Sequence, residues 1–298
     1  MTKFIKNRSL RQRGVTMVEM IVVIVITGII GGVVALFIRV PIQGYTDSVA
    51  RATVTDAADI ALRRMTRDLR LALPNSVRVL TSAVPDAPRY IEFLQTTGGM
   101  RYLAEDDIRP NAPVGKHLDW NDAAKTEFDV VGGIPDVRHR PVVGNFVVVY
   151  NLGDGQEPGN AYNCDVACNR AKIKSFPTPN SIELESNPFP AQTAGGVALM
   201  SPGKRFHVVS GAVTYMCNLS TRQLIRYWDY PIVRDQAGAP VGGKSALLAD
   251  NIKTCEFDYS NLANQRSGLV GLTLGIGIPG AGDAVLQLEH QIHVDNTP

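Results

Sequence analysis

The stretch Arg13-Gly14-Val15-Thr16-Met17-Val18-Glu19-Met20 decides how the rest of the chain is read. Residues 1–13 carry five basic and no acidic side chains, Lys3, Lys6, Arg8, Arg11 and Arg13. Downstream, an apolar run extends from Met20 to Ile38 with Thr27 as its only polar side chain, long enough to cross or nearly cross a bilayer as a helix. Glu19 is out of place at the mouth of that run. An acidic residue costs roughly 2.5–3.5 kcal/mol at the centre of a membrane helix and less near the interface, so this carboxylate calls for a partner. The positive-inside rule puts the basic leader in the cytoplasm and everything after the helix outside the inner membrane. Two plainer readings compete. An ordinary secretory signal would be cut after the apolar region, where Val33-Val34-Ala35 is a passable site, but Glu19 and the long leader fit it poorly. The other is an uncleaved signal anchor.

The order of basic leader, Gly14, four residues, Glu19 and apolar helix resembles the class III signal of type IV pilins and type II secretion pseudopilins. The resemblance implies that residues 1–14 are a leader, removed by a prepilin peptidase between Gly14 and Val15, and that Val15 is then N-methylated. It implies that the apolar segment stays in the mature protein and that Glu19 serves filament assembly. The implied partners are other major and minor pilins, met through the N-terminal helix, the peptidase, the inner-membrane assembly platform and the inner membrane itself. The implied location is the inner membrane, single pass, with the C-terminal domain periplasmic, and afterwards the pilus at the cell surface.

Later segments carry the resemblance further. Gly44-Tyr45, Asp56-Ala57-Ala58-Asp59, Arg67-Asp68-Leu69-Arg70, Leu73-Pro74-Asn75-Ser76-Val77, Leu224-x-Arg226-Tyr227-Trp228 and His293-Val294-Asp295-Asn296 look like minor pilins of the mannose-sensitive haemagglutinin (MSHA) pilus. J-type pseudopilins and W-type minor pilins are the nearest relatives with which that pattern could be confused.

Charge excludes a strong nucleic-acid reading. Without the leader and its five cations, 25 Lys and Arg face 28 Asp and Glu, a formal charge of −3, so the basicity of the whole chain belongs to the leader. The arginines after the membrane segment form i,i+4 pairs with acids, Asp59 with Arg63 and Arg64 with Asp68, as on a solvated or subunit-facing helix.

That helix is amphipathic. Val54, Ala58, Ala61, Leu62, Met65, Leu69 and Leu73 recur on a three-and-four spacing that lays one face on a globular domain, and Pro74 ends the pattern. The expected fold is α+β, a pilin-like lollipop: an extended helix over 15–73, about 18–38 of it transmembrane, then a β-rich domain over 74–298. Such a helix would reach roughly 85–90 Å. A kink is expected near Pro41 and local melting at Gly28, Gly31, Gly32 and Gly44.

After Pro74 the pattern is one of short strands between Pro- and Gly-rich loops. Strands are expected at 90–96, 128–131, 146–150, 181–185, 206–210, 213–218, 223–227, 252–259, 269–276 and 284–294. The stretches 105–124 and 153–170 resist assignment. Cys217 and Cys255 each sit in an expected strand with an aromatic neighbour two residues away, on the core face. A bridge between them would staple two strands and add on the order of 2–4 kcal/mol; Cys164 and Cys168 form a second candidate pair.

No catalytic constellation emerges, and no cofactor or metal is expected. Gly275-x-Gly277-x-x-Gly280 fits the dinucleotide pattern but leads through Pro279 into a strand, leaving no helix N-terminus to hold a pyrophosphate. Residues three apart on a strand face opposite sides, so His290 and His293 do not read as a ligand pair, and a buried, hydrogen-bonded His290 is expected. Asp154, Glu157 and Asp165 crowd one loop without the spacing of a calcium loop. The reading is a minor pilin without enzymatic turnover, acting in initiation or at the tip. The alternatives are a J-type pseudopilin and, from another class, a membrane-anchored periplasmic adhesin or enzyme.

Overall fold

The computed structural model describes residues 14–82, 84, 86–108, 115–135, 140–165, 167–236, 238–260 and 267–298. The leader cations therefore lie outside the described residues. The chain divides into two compact units, residues up to Ala52 and Thr53–Pro298.

A single helix, α1, occupies Met17–Leu69. It runs unbroken through Pro41 and through Gly28, Gly31, Gly32 and Gly44, where melting was expected. Thr27 apart, the side chains around the first three glycines are apolar and do not compete for the backbone N–H and C=O, so the helical ladder keeps them. In the first unit, the large apolar side chains from Met17 to Ile38 are exposed.

α1 ends at Leu69, short of the expected Leu73, because the next residues find strand partners. The Leu73 N–H donates to Leu94 O at 2.7 Å, and the Thr96 N–H donates to Leu71 O at 2.8 Å. This corner carries the chain directly onto a strand instead of extending the helix.

Fourteen strands follow among the described residues: β1 (Arg78–Leu80), β2 (Arg89–Tyr102), β3 (Glu127–Val131), β4 (Phe146–Val148), β5 (Arg170–Ser175), β6 (Ser181–Leu184), β7 (Thr193–Ala194), β8 (Val197–Ala198), β9 (Arg205–Asn218), β10 (Gln223–Trp228), β11 (Lys244–Ala249), β12 (Ile252–Ser260), β13 (Ser267–Gly277) and β14 (Val285–Asp295). Every pairing is antiparallel. The two expected strands at 206–210 and 213–218 are one, β9, bent at a register shift opposite Gln95 and Thr96, where Gly211 has a positive φ.

β2 and β9 stay paired along almost their whole lengths, from Arg89–Cys217 to Arg101–Arg205; at the far end β3 adds to the outer edge of β2 and β4 to that of β9, and β6 and β5 link them, so six strands close into a ring. Tyr102, Phe128, Ile173, Ile182, Phe206 and Val208 belong to its core, with Phe128 and Phe206 edge to face at 5.5 Å. β1, β10 and β11 extend the near end of the sheet. A separate sheet of β12, β13 and β14 is the second layer.

The part of α1 in the second unit lies in the core between these layers. Val54, Ala58, Ala61, Leu62, Met65 and Leu69 pack with Ile91, Phe93, Tyr215 and Leu224 of the large sheet and with Phe257, Val270, Leu272 and Ile292 of the small one. Fully burying side chains of this size contributes roughly 1.5–3 kcal/mol each, so this stripe anchors the domain.

Candidate functional site

Gly14, Val15 and Thr16 lead into α1 without regular secondary structure, and Val15 is 65% exposed. Thr16 is the residue before the helix. Its Oγ1 accepts the Glu19 N–H at 3.3 Å, and Glu19 Oε2 accepts the Thr16 N–H at 3.4 Å. This reciprocal pair is a capping box: two backbone donors that the first turn leaves open are satisfied, and the carboxylate sits at the positive end of the helix dipole. Glu19 thus has a partner within its own chain, in addition to any it meets in assembly. The signal was present in the sequence as Thr-x-x-Glu ahead of an apolar run, and Thr16 is the residue that the assembly argument passes over.

The geometry presents a junction and a membrane-length helix in sequence. Gly14 has open space around its Cα, and α1 is long and apolar enough near its start to cross a membrane. Residues 9–35 match the prokaryotic N-terminal methylation motif. The methylation motif takes in Gly14, Val15, Glu19 and most of the apolar run, and it supports a type IV pilin-like or pseudopilin protein. With the exposed apolar helix, it is consistent with anchoring in the inner membrane, processing by a prepilin peptidase and assembly with pilins. No curated protein and no solved structure matches the chain.

Of the two candidate cysteine pairs, the second is the bonded one. Cys164 and Cys168 are joined in a disulfide, whereas Cys217 and Cys255, expected as a bonded pair, are free thiols. They do meet: both are buried in one core, Cys217 on β9 and Cys255 on β12, close enough for each thiol to act on the other. Burial, then the neighbouring Cys217, pushes the Cys255 thiol well above the ordinary range, so it stays protonated.

Other singled-out residues fall as follows. Gly275 and Gly277 lie at the end of β13 and Gly280 in the turn to β14, the tip of a hairpin. His293 is exposed. His290 is half-buried, lining a groove beside α1 instead of bonding within the core, because Arg63, Thr66, Arg67 and Arg70 stand across from it. Asp154 and Glu157 accept hydrogen bonds from the side chain of Asn160, and Glu157 also from Asn163, while Asp165 pairs with Arg234. No three His, Cys, Asp or Glu side chains converge as metal ligands among the described residues.

The sequence also passes over a buried ionic centre. Asp68 is 2% exposed, and its Oδ2 accepts from Arg226 Nε at 2.8 Å, Tyr215 OH at 2.8 Å and Arg64 Nε at 3.3 Å. It ties α1 to β9 and β10. The i,i+4 pairing with Arg64 was legible; Arg226, 158 positions away, carried no local signal.

Proposed function

We propose that this chain is a minor pilin, a structural and assembly subunit of a type IV pilus acting in initiation or at the tip, with no turnover of its own. Its later motifs resemble MSHA biogenesis protein O. The observation that carries the reading is the methylation motif over residues 9–35, which runs across the capped start of α1 into its exposed apolar part. Before assembly the helix holds the subunit in the inner membrane, with the β domain in the periplasm. During assembly the helix leaves lipid, and Glu19 pairs with the α-amino group of a neighbouring mature N-terminus. Opposite charges attract strongly at low dielectric, and leaving either alone is costly, so the pair draws the subunit into register. A J-type pseudopilin of type II secretion shares this physics. Deletion of the gene separates the two, through loss of piliation or loss of secretion.

The capping box sharpens the test. Glu19→Gln keeps an acceptor for the Thr16 N–H but removes the charge, while Glu19→Val removes both and costs about 1 kcal/mol of helix N-terminal stability. Intact mass should show both variants cut before Val15 and both depleted from sheared filaments. Wild-type incorporation of Glu19→Gln alongside failure of Glu19→Val would reduce Glu19 to a helix cap and remove charge pairing from the mechanism.

A further inference from the structure

The strand edges of the β domain are unequally protected. The ring closes off the edges of six strands; β1 has three residues, and β11 pairs with β10 through a register shift and begins with Lys244. On the small sheet, Arg89 from β2 donates to the Cys255 carbonyl and occupies the outer edge of β12. β14 differs. Its eleven residues pair with β13 in one unshifted register and contain no proline, lysine or bulge. Its other edge has no strand partner among the described residues. Folded proteins guard edges of this length, because the open row of N–H and C=O groups templates another strand.

Beside β14 runs a groove of about 360 Å³ lined by Arg63, Thr66, Arg67, Arg70, Leu71 and His290. Arg63 and Arg67 lie on the exposed face of α1, their side chains 76% and 64% exposed, and exposed Arg70 follows in the turn just past its end. Asp59 pairs with Arg63 at 2.6 Å, and Asp68, engaged by Arg226, Tyr215 and Arg64, is also 3.9 Å from Arg67. Counting Arg63, Arg64, Arg67, Arg70 and Arg226 against Asp59 and Asp68 leaves three positive charges in excess. Glu289 does not offset them, since it stands on the opposite face of β14 and bonds to Gln287. The Thr66 hydroxyl is buried without a hydrogen-bond partner.

We propose that the groove and the free edge of β14 together receive an extended acidic segment of a partner protein, which adds as a fourth strand and sets its carboxylates against Arg63, Arg67 and Arg70. Backbone hydrogen bonds supply the affinity and the arginines the choice of sequence. A second copy of this chain is a poor occupant, because pairing two β14 edges would bring two arginine rows together. Nucleic acid is disfavoured by the net negative mature chain. The inference stands on the groove and the edge, not on the methylation motif.

The test uses the full chain in detergent micelles and a fluorescent, end-blocked octapeptide alternating glutamate and valine. It should bind, more weakly at higher salt, while its lysine–valine counterpart does not. Methylating the backbone nitrogens on one edge of the peptide, and separately the double variant Arg67→Gln/Arg70→Gln, should each weaken binding by about tenfold or more. Both side chains are solvent-exposed, so the double variant should melt with the wild type. Absence of binding, equal binding of the methylated peptide, or tighter binding of a single-stranded oligonucleotide at the same arginines would each overturn the proposal.

Discussion

Asp68 shows how burial, rather than distance, ranks the ion pairs of this protein. Arg63 and Asp59 are closer, at 2.6 Å, than Arg226 and Asp68 at 2.8 Å, but their side chains are 76% and 38% exposed against 8% and 3%. Solvent screens the first pair to about 0–1 kcal/mol, whereas removing one partner of the second leaves a buried charge that costs about 3–5 kcal/mol. Arg226→Met should therefore lower the denaturant midpoint strongly and Arg63→Met barely; equal effects in urea titrations would contradict this ranking. The thiols make a second residue-scale case. Because Cys217 and Cys255 are buried, and burial holds Cys255 protonated, iodoacetamide should label neither in the native protein and both after unfolding without reductant. Peptide mapping should recover the Cys164 to Cys168 link in the same sample. A mapped 217 to 255 bond would restore the pairing expected from strand alternation.

At the scale of elements, periodicity decides what a sequence reveals. The apolar stripe of α1 and the alternation in β3, β12, β13 and β14 announce themselves because each repeats with the period of its backbone. β5 was overlooked, since Arg170-Ala-Lys-Ile-Lys-Ser175 sets only Ala171 and Ile173 among charges, and β11 because four of its six residues are exposed. The stretches 105–124 and 153–170 gave no reading because much of their order comes from side chains bonding to backbone. Among the described residues, Asn187 Nδ2 donates to the carbonyls of Asp119, Asp122 and Lys125, while Asn151 Oδ1 accepts the Ala161 N–H and Arg170 donates to the Ala161 carbonyl. Asp119 holds one such loop. Burial would raise its carboxyl, but Lys125 at 2.6 Å and the N–H groups of Asn121 and Asp122 outweigh that and hold it at about 2. A depressed carboxyl contributes stability in full above its unfolded value of about 3.9 and loses it as pH falls toward the folded value. Hydrogen exchange at Asn121 and Asp122 should lose protection in that acid window, and Asp119→Ala should cost about 1–3 kcal/mol at neutral pH. Protection that persists unchanged well below pH 2 would deny Asp119 this role.

For the whole molecule, the place to cut the chain follows from where α1 is buried. Every core residue of the helix, from Val54 to Leu69, lies in the unit that begins at Thr53. A fragment spanning 53–298 should fold and melt cooperatively in water by circular dichroism. One beginning at residue 70 loses Leu62, Met65 and Leu69, at roughly 1.5–3 kcal/mol each, which approaches a domain's entire stability of about 5–15 kcal/mol. It should fail to fold, and a cooperative melt from it would show that the two sheets hold together without the helix. The corner after α1 has a mechanical meaning as well. Leu71 and Leu73 are bonded to β2, and Asn75 Nδ2 donates to the carbonyls of Asn151 and Asn296. Traction on the helix is handed at this point to β2 and through it to β9, the two longest strands, before it reaches a surface loop. Drawing the helix out of its core therefore requires breaking the Leu71 and Leu73 bonds to β2 together with the buried stripe and the ion pair of Asp68 with Arg226, so the grip on the helix is shared between the corner and the core.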